Sequence, residues 1–144
     1  MAIDKVEFAE LEKEISRTKK PVLDFLAPKI GKAYVIAITR DGCSACEKQK
    51  PKLARLAATL KQKHRDNVVF TRIHIRYAPG SEGESKRSKG VLGHYFYPTN
   101  LILFRTPDRG AIDYYKSSSP TMNELKKNIE IAMEIATMIG REKP

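Results

Sequence analysis

Apolar positions change period along the chain, and the changes mark its elements. Over the first twenty residues Phe8, Leu11 and Ile15 recur at helical spacing, which predicts an amphipathic helix ended by Lys19, Lys20 and Pro21. Asp4 and Glu7 stand at capping-box spacing before that stripe, with Asp in place of Ser or Thr. "VLDFLAPKIGK" reads as a short helical turn or an irregular crossing. "AYVIAIT" (33–39) is then a continuous apolar, β-branched run, the signature of a strand buried on both faces. A turn at "RDGC" leads into a helix over about 43–64, with Leu53, Leu56, Ala57 and Leu60 on one side. "NVVFTRIHI" (67–75) is the next strand, and the aperiodic, breaker-rich stretch 76–90 reads as a long loop.

Beyond it, a strand at about 99–105, the turn "PDRG" and the strand "AIDYYKS" predict a hairpin. The last helix opens on a Thr121/Glu124 capping box, buries Leu125, Ile129, Ala132, Met133 and Ala136, and is expected to stop at Gly140. A βαβ crossover followed by a hairpin and a closing helix predicts an α/β fold, a three-layer sandwich with a central mixed β-sheet flanked by helices. At 144 residues the chain is expected to be a single domain, residues 1–144, with a helical extension over 1–32 and the core over 33–140.

Composition adds two constraints. No apolar run approaches the roughly 20 residues of a membrane span. The N-terminus is charged from its start rather than bearing the apolar core of a secretory signal, so the expected location is cytoplasmic. The net charge of +10 is concentrated: residues 41–77 carry nine basic against three acidic side chains. Lys48, Lys52, Arg55 and Lys63 share one side of the central helix. Such a face attracts acidic partners or remains solvated. It has no interleaved aromatics and no nucleic-acid motif, so nucleic acid is not an expected partner.

The only cysteines, Cys43 and Cys46, are two residues apart at the mouth of the central helix. In a reducing compartment a disulfide staple is a poor reading, and so short a loop constrains the unfolded chain little. Half of a zinc site is a second reading, but no second cysteine pair exists and His64, His74 and His94 show no ligand spacing. A dithiol/disulfide couple is the third. A helix N-terminus favours a thiolate at Cys43, and Cys46, one turn further in, is placed to resolve a mixed disulfide there. Nothing in the sequence requires a metal or an organic cofactor.

The strand "AYVIAIT", the turn, "CSACEKQKP" with Pro51 five residues after the second cysteine, and "YFYPTNLILF" before the hairpin together resemble the thioredoxin family. The resemblance covers about 33–140. It implies a protein thiol–disulfide oxidoreductase acting in cell redox homeostasis, with Cys43 and Cys46 catalytic. It also implies a cis Tyr97–Pro98 bond facing the pair, with Tyr97 and Pro98 contacting an extended peptide by strand addition. Protein substrates bearing disulfides or thiols and a reductase partner follow from the same resemblance. The sequence departs from the family where Gly42 replaces a tryptophan, Ser44-Ala45 replace Gly-Pro, and Ala37 replaces a buried aspartate; Asp41, Glu47 or water could carry the proton instead. The competing reading is a thioredoxin-like binding module in which the cysteine pair is vestigial or a redox switch.

Overall fold

A computed structural model describes residues 3–142. Strands β1 (Ile3–Glu7), β2 (Ala33–Arg40), β3 (Val68–Ile75), β4 (Thr99–Thr106) and β5 (Gly110–Ser117) form one sheet in the order β1-β3-β2-β4-β5. β1 and β2 run parallel to β3, while β4 is antiparallel to both β2 and β5, so the sheet is mixed. One face is covered by α3 (Ser44–His64) and α5 (Met122–Glu142), the other by α1 (Phe8–Thr18), α2 (Val22–Leu26) and α4 (Glu84–Leu92). These are the three layers the sequence predicts.

β2 is central and covered on both sides, so Ala33 to Thr39 are all buried, which explains its uninterrupted apolar run. Its side chains alternate between two cores. Ala33, Val35 and Ala37 join Leu53, Leu56, Leu60, Phe70 and Ile129; Tyr34, Ile36 and Ile38 join Phe8, Leu11, Ile73 and Leu101. The hairpin forms as expected, and the Thr121 hydroxyl accepts the Glu124 N–H at 3.0 Å to cap α5.

Three local readings are corrected. The described residues open with strand β1, not helix: α1 begins at Phe8, and Glu7 precedes it with extended backbone and no side-chain cap. Parallel pairing with β3 outweighs the local helical pattern, and the Glu7 carboxylate is taken by His74. The stretch 76–90 is not all loop, because α4 starts at Glu84. Its buried face consists of Glu84, Ser88 and Leu92, so polar groups occupy positions where a helix ordinarily shows apolar ones. Gly140 does not stop α5, which continues to Glu142. The glycine instead allows a close approach, since a Cβ there would lie 3.3 Å from Gly31 Cα.

Candidate active site

Strand β2 delivers the chain to the turn Asp41–Gly42, and Gly42 adopts a left-handed backbone (φ 71°) that a side chain would strain. Cys43 follows as the N-cap residue of α3, its backbone extended, and its Sγ accepts the Cys46 N–H at 3.1 Å. The sulfur therefore occupies the place a Ser or Asp oxygen takes in an ordinary cap, inside the positive end of the helix. Cys43 and Cys46 are joined as a disulfide, and both are buried, Cys46 more deeply. Pro51 lies within α3 and leaves the Glu47 carbonyl without a helical N–H partner.

The Tyr97–Pro98 peptide bond is cis, at the start of β4. Tyr97 and Pro98 line a groove of about 520 Å³ with Ala45, Lys48 and Lys52 of α3 and the exposed Phe96. The phenol of Tyr97 is held from below. Its Oη lies 2.8 Å from Ser85 Oγ and 3.1 Å from Ser88 Oγ, both on α4. Ser88 Oγ also lies 3.1 Å from His94 Nε2 and donates to the Ser85 carbonyl at 2.7 Å. The His94 ring packs edge-on against Tyr97 with centroids 5.0 Å apart, and burial pushes its pKa below the usual histidine value. Thr99 Oγ1 donates to the Phe96 carbonyl at 2.7 Å, and the Gln49 and Asn100 amides exchange two hydrogen bonds at 2.9 and 3.0 Å between α3 and β4.

On the other side of α3 a second cavity, about 740 Å³, reaches Cys46. Ala37, Thr39, Asp41, Arg72 and His74 line it, so no carboxylate stands at position 37. His74 bridges two acids: Nε2 lies 2.6 Å from Asp41 Oδ1 and Nδ1 lies 2.7 Å from Glu7 Oε1. Asp41 Oδ2 also accepts the Tyr77 N–H at 3.2 Å. The His74 hydrogen bond, aided by that N–H, holds the Asp41 carboxyl below its ordinary range. Burial raises Glu7, but the hydrogen bonds from His74 and Lys5 outweigh it and the net shift is downward. Thus β1 and β3 anchor the turn that presents Cys43. Arg72 donates to Thr39 Oγ1 at 3.4 Å and has no carboxylate partner among the described residues. Glu47 is exposed on α3.

All four site residues of the sequence reading lie on the rim of one groove or on the helix end beside it. Ser85, Ser88 and His94 brace Tyr97, and Glu7 and His74 brace the turn before Cys43; none of the five is among the site residues the sequence predicts. His74 and His94 carried a signal in being polar within apolar surroundings, but their partners are distant in sequence or sit on a helix without apolar period. His64 faces Glu130 at 3.4 Å, far from the pair in sequence and on the opposite end of α3. Among the described residues no three His, Cys, Asp or Glu side chains are arranged as a metal-ligand set, and no helix is long and apolar enough to cross a membrane.

No protein-family model and no curated protein sequence matches the chain. Solved structures do. The thioredoxin NaTrxh of Nicotiana alata is 16% identical, with 91% of this chain and 92% of that one covered and a TM-score of 0.59. A chain from the complex of ferredoxin:thioredoxin reductase and thioredoxin f2 is 17% identical, with 90% and 94% covered and a TM-score of 0.57. Fasciola hepatica thioredoxin is also 17% identical, with 90% and 98% covered and a TM-score of 0.55. At these identities the likeness is one of backbone architecture, and what it shows is that this chain has the thioredoxin fold.

Proposed function

We propose that the protein is a thiol–disulfide oxidoreductase that reduces or exchanges protein disulfides through Cys43 and Cys46. The observation that carries this reading is the cysteine pair, closed as a disulfide at the N-terminus of α3 in a thioredoxin fold. In the reduced protein the Cys43 thiolate, stabilised by the helix N-terminus and the Cys46 N–H, attacks one sulfur of a substrate disulfide. A Cys43–substrate S–S bond forms, the substrate's own S–S bond breaks, and one substrate thiolate leaves. Cys46 then loses its proton to water or to the Glu47 carboxylate on the cavity it lines, because Ala37 offers no base and both Asp41 oxygens are engaged. Its thiolate attacks Cys43 Sγ, the intramolecular disulfide forms, and the second substrate thiolate departs and takes up a proton. Two electrons pass to the substrate. Tyr97 and Pro98 hold the peptide bearing the target cysteine by backbone pairing.

A reductase returns the disulfide to the dithiol; the similarity to a chain from a reductase–thioredoxin complex supports a partner of that class. The reading fits a reducing compartment such as the cytoplasm. Its test is the Cys46→Ser variant, incubated with a disulfide-bearing protein and resolved without reductant. Mixed disulfides through Cys43 are expected, and their loss in the Cys43→Ser/Cys46→Ser double variant confirms the linkage. If Cys46→Ser yields no adducts, the oxidoreductase reading falls and the binding-module reading replaces it.

A further inference from the structure

The groove beside Pro98 carries charge of one sign. Lys48 and Lys52, one helical turn apart on α3, form one wall, and no carboxylate lines the groove. Neither lysine has a carboxylate partner among the described residues, and the same holds for Arg55, one turn further on the same side of the helix. The Tyr97 ring that lines the groove has two further cations near it, the Arg40 guanidinium 5.3 Å and the Lys89 ammonium 5.8 Å from its centre. The exposed Phe96 ring adds aromatic surface to the groove beside Tyr97. The acidic groups nearby are turned elsewhere: Asp41 to His74 and Tyr77, and Glu47 to the cavity on the far side of α3.

Resting on the oxidoreductase reading, we infer that the groove selects acidic polypeptide segments, in which carboxylates follow the target cysteine along α3. The spacing follows from the helix. At about 1.5 Å rise per residue, Lys48, Lys52 and Arg55 lie roughly 7, 13 and 18 Å beyond Cys43 along the axis. An extended peptide advances about 3.4 Å per residue, so matching carboxylates fall near the second, fourth and fifth residues from its cysteine. The charges are exposed and the target's side chains stay hydrated, so the effect is on encounter and orientation, and it is sensitive to salt.

The test uses three peptides, each with one cysteine joined by a disulfide to 2-mercaptoethanol. Glu, Gln or Lys occupies the second, fourth and fifth positions on both sides of the cysteine. Bis(2-hydroxyethyl) disulfide is the uncharged control. With the reduced full-length protein in single turnover at low ionic strength, the Glu peptide is expected to react roughly tenfold faster than the Lys peptide, with Gln between them. At about 0.5 M salt the gap narrows to twofold or less as the charges are screened. In K48E/K52E the Glu-to-Lys rate ratio inverts. Glu and Lys peptides reacting within twofold of each other at low salt, while the control is reduced, would overturn the selectivity and leave the oxidoreductase reading standing. Reduction of neither the control nor any peptide would overturn that reading itself.

Discussion

Ser88 ties α4 to the cis-proline loop, and its removal tests how that loop is held. The hydroxyl is wholly buried, donates to the Ser85 carbonyl, and faces both His94 Nε2 and Tyr97 Oη. Ser88→Ala leaves Tyr97 its contact with Ser85 at 2.8 Å, but His94 Nε2 loses its protein partner in a site closed to solvent. Stranding one buried polar group of this kind is worth about 1–3 kcal/mol. Taking about 2 kcal/mol, and about 2–4 °C of Tm per kcal/mol for a chain near this size, the midpoint falls by about 4–8 °C. The assay is thermal unfolding of the oxidised protein by circular dichroism, paired with single-turnover reduction of the Gln peptide. The rate with peptide is expected to drop as Tyr97 loses its fixed position. A Tm within 1 °C of wild type, with an unchanged peptide rate, would refute the claim that α4 braces this loop.

Further outcomes follow from the same geometry. Burial lowers the His94 pKa in the folded protein below its unfolded value of about 6.5, so the unfolded chain binds the extra proton first. The stability that neutral His94 contributes is therefore present above pH 6.5 and lost as pH falls below it; Tm measured from pH 8 to 5 should decline, and less steeply in His94→Gln. Glu84, buried to 1% exposure, accepts the Arg76 backbone N–H and two guanidinium bonds at 2.9–3.0 Å. Because Arg76 is itself half exposed, Glu84→Gln should cost about 2 kcal/mol in chemical denaturation, below the 3–5 kcal/mol of a fully buried pair. Arg72 contributes an unpaired cation to the cavity that Cys46 lines, which favours thiolate over disulfide. Arg72→Met should make the couple more reducing by about 20 mV, the equivalent of about 1 kcal/mol for two electrons; no shift, or a shift in the oxidising direction, would contradict that role.

The parts of this architecture that were legible in the sequence are those where local pattern and tertiary environment agree. The all-apolar run of β2, the stripe of α3, the hairpin and the Thr121 cap of α5 are of this kind, as is the placement of Cys43 at a helix mouth. β1 is five residues with three charges, and only its pairing with β3 makes it a strand; locally it continues into the pattern of α1. α4 was hidden because Glu84 and Ser88 face inward, satisfied by Arg76, His94 and Tyr97 rather than by apolar packing. The Glu7–His74–Asp41 bridge joins residues 67 and 33 positions apart, a separation that no spacing rule spans.

The central claim is that Cys43 and Cys46 form a reversible two-electron couple, and its most direct test is their reduction potential. The protein is equilibrated in graded redox buffers, its thiols are trapped by alkylation, and the modified cysteines are counted by mass. The account predicts one transition in which both cysteines become protected together, within the range from about −270 mV for a reductant to about −120 mV for a strong oxidant. Two alkylated thiols at every potential would contradict it.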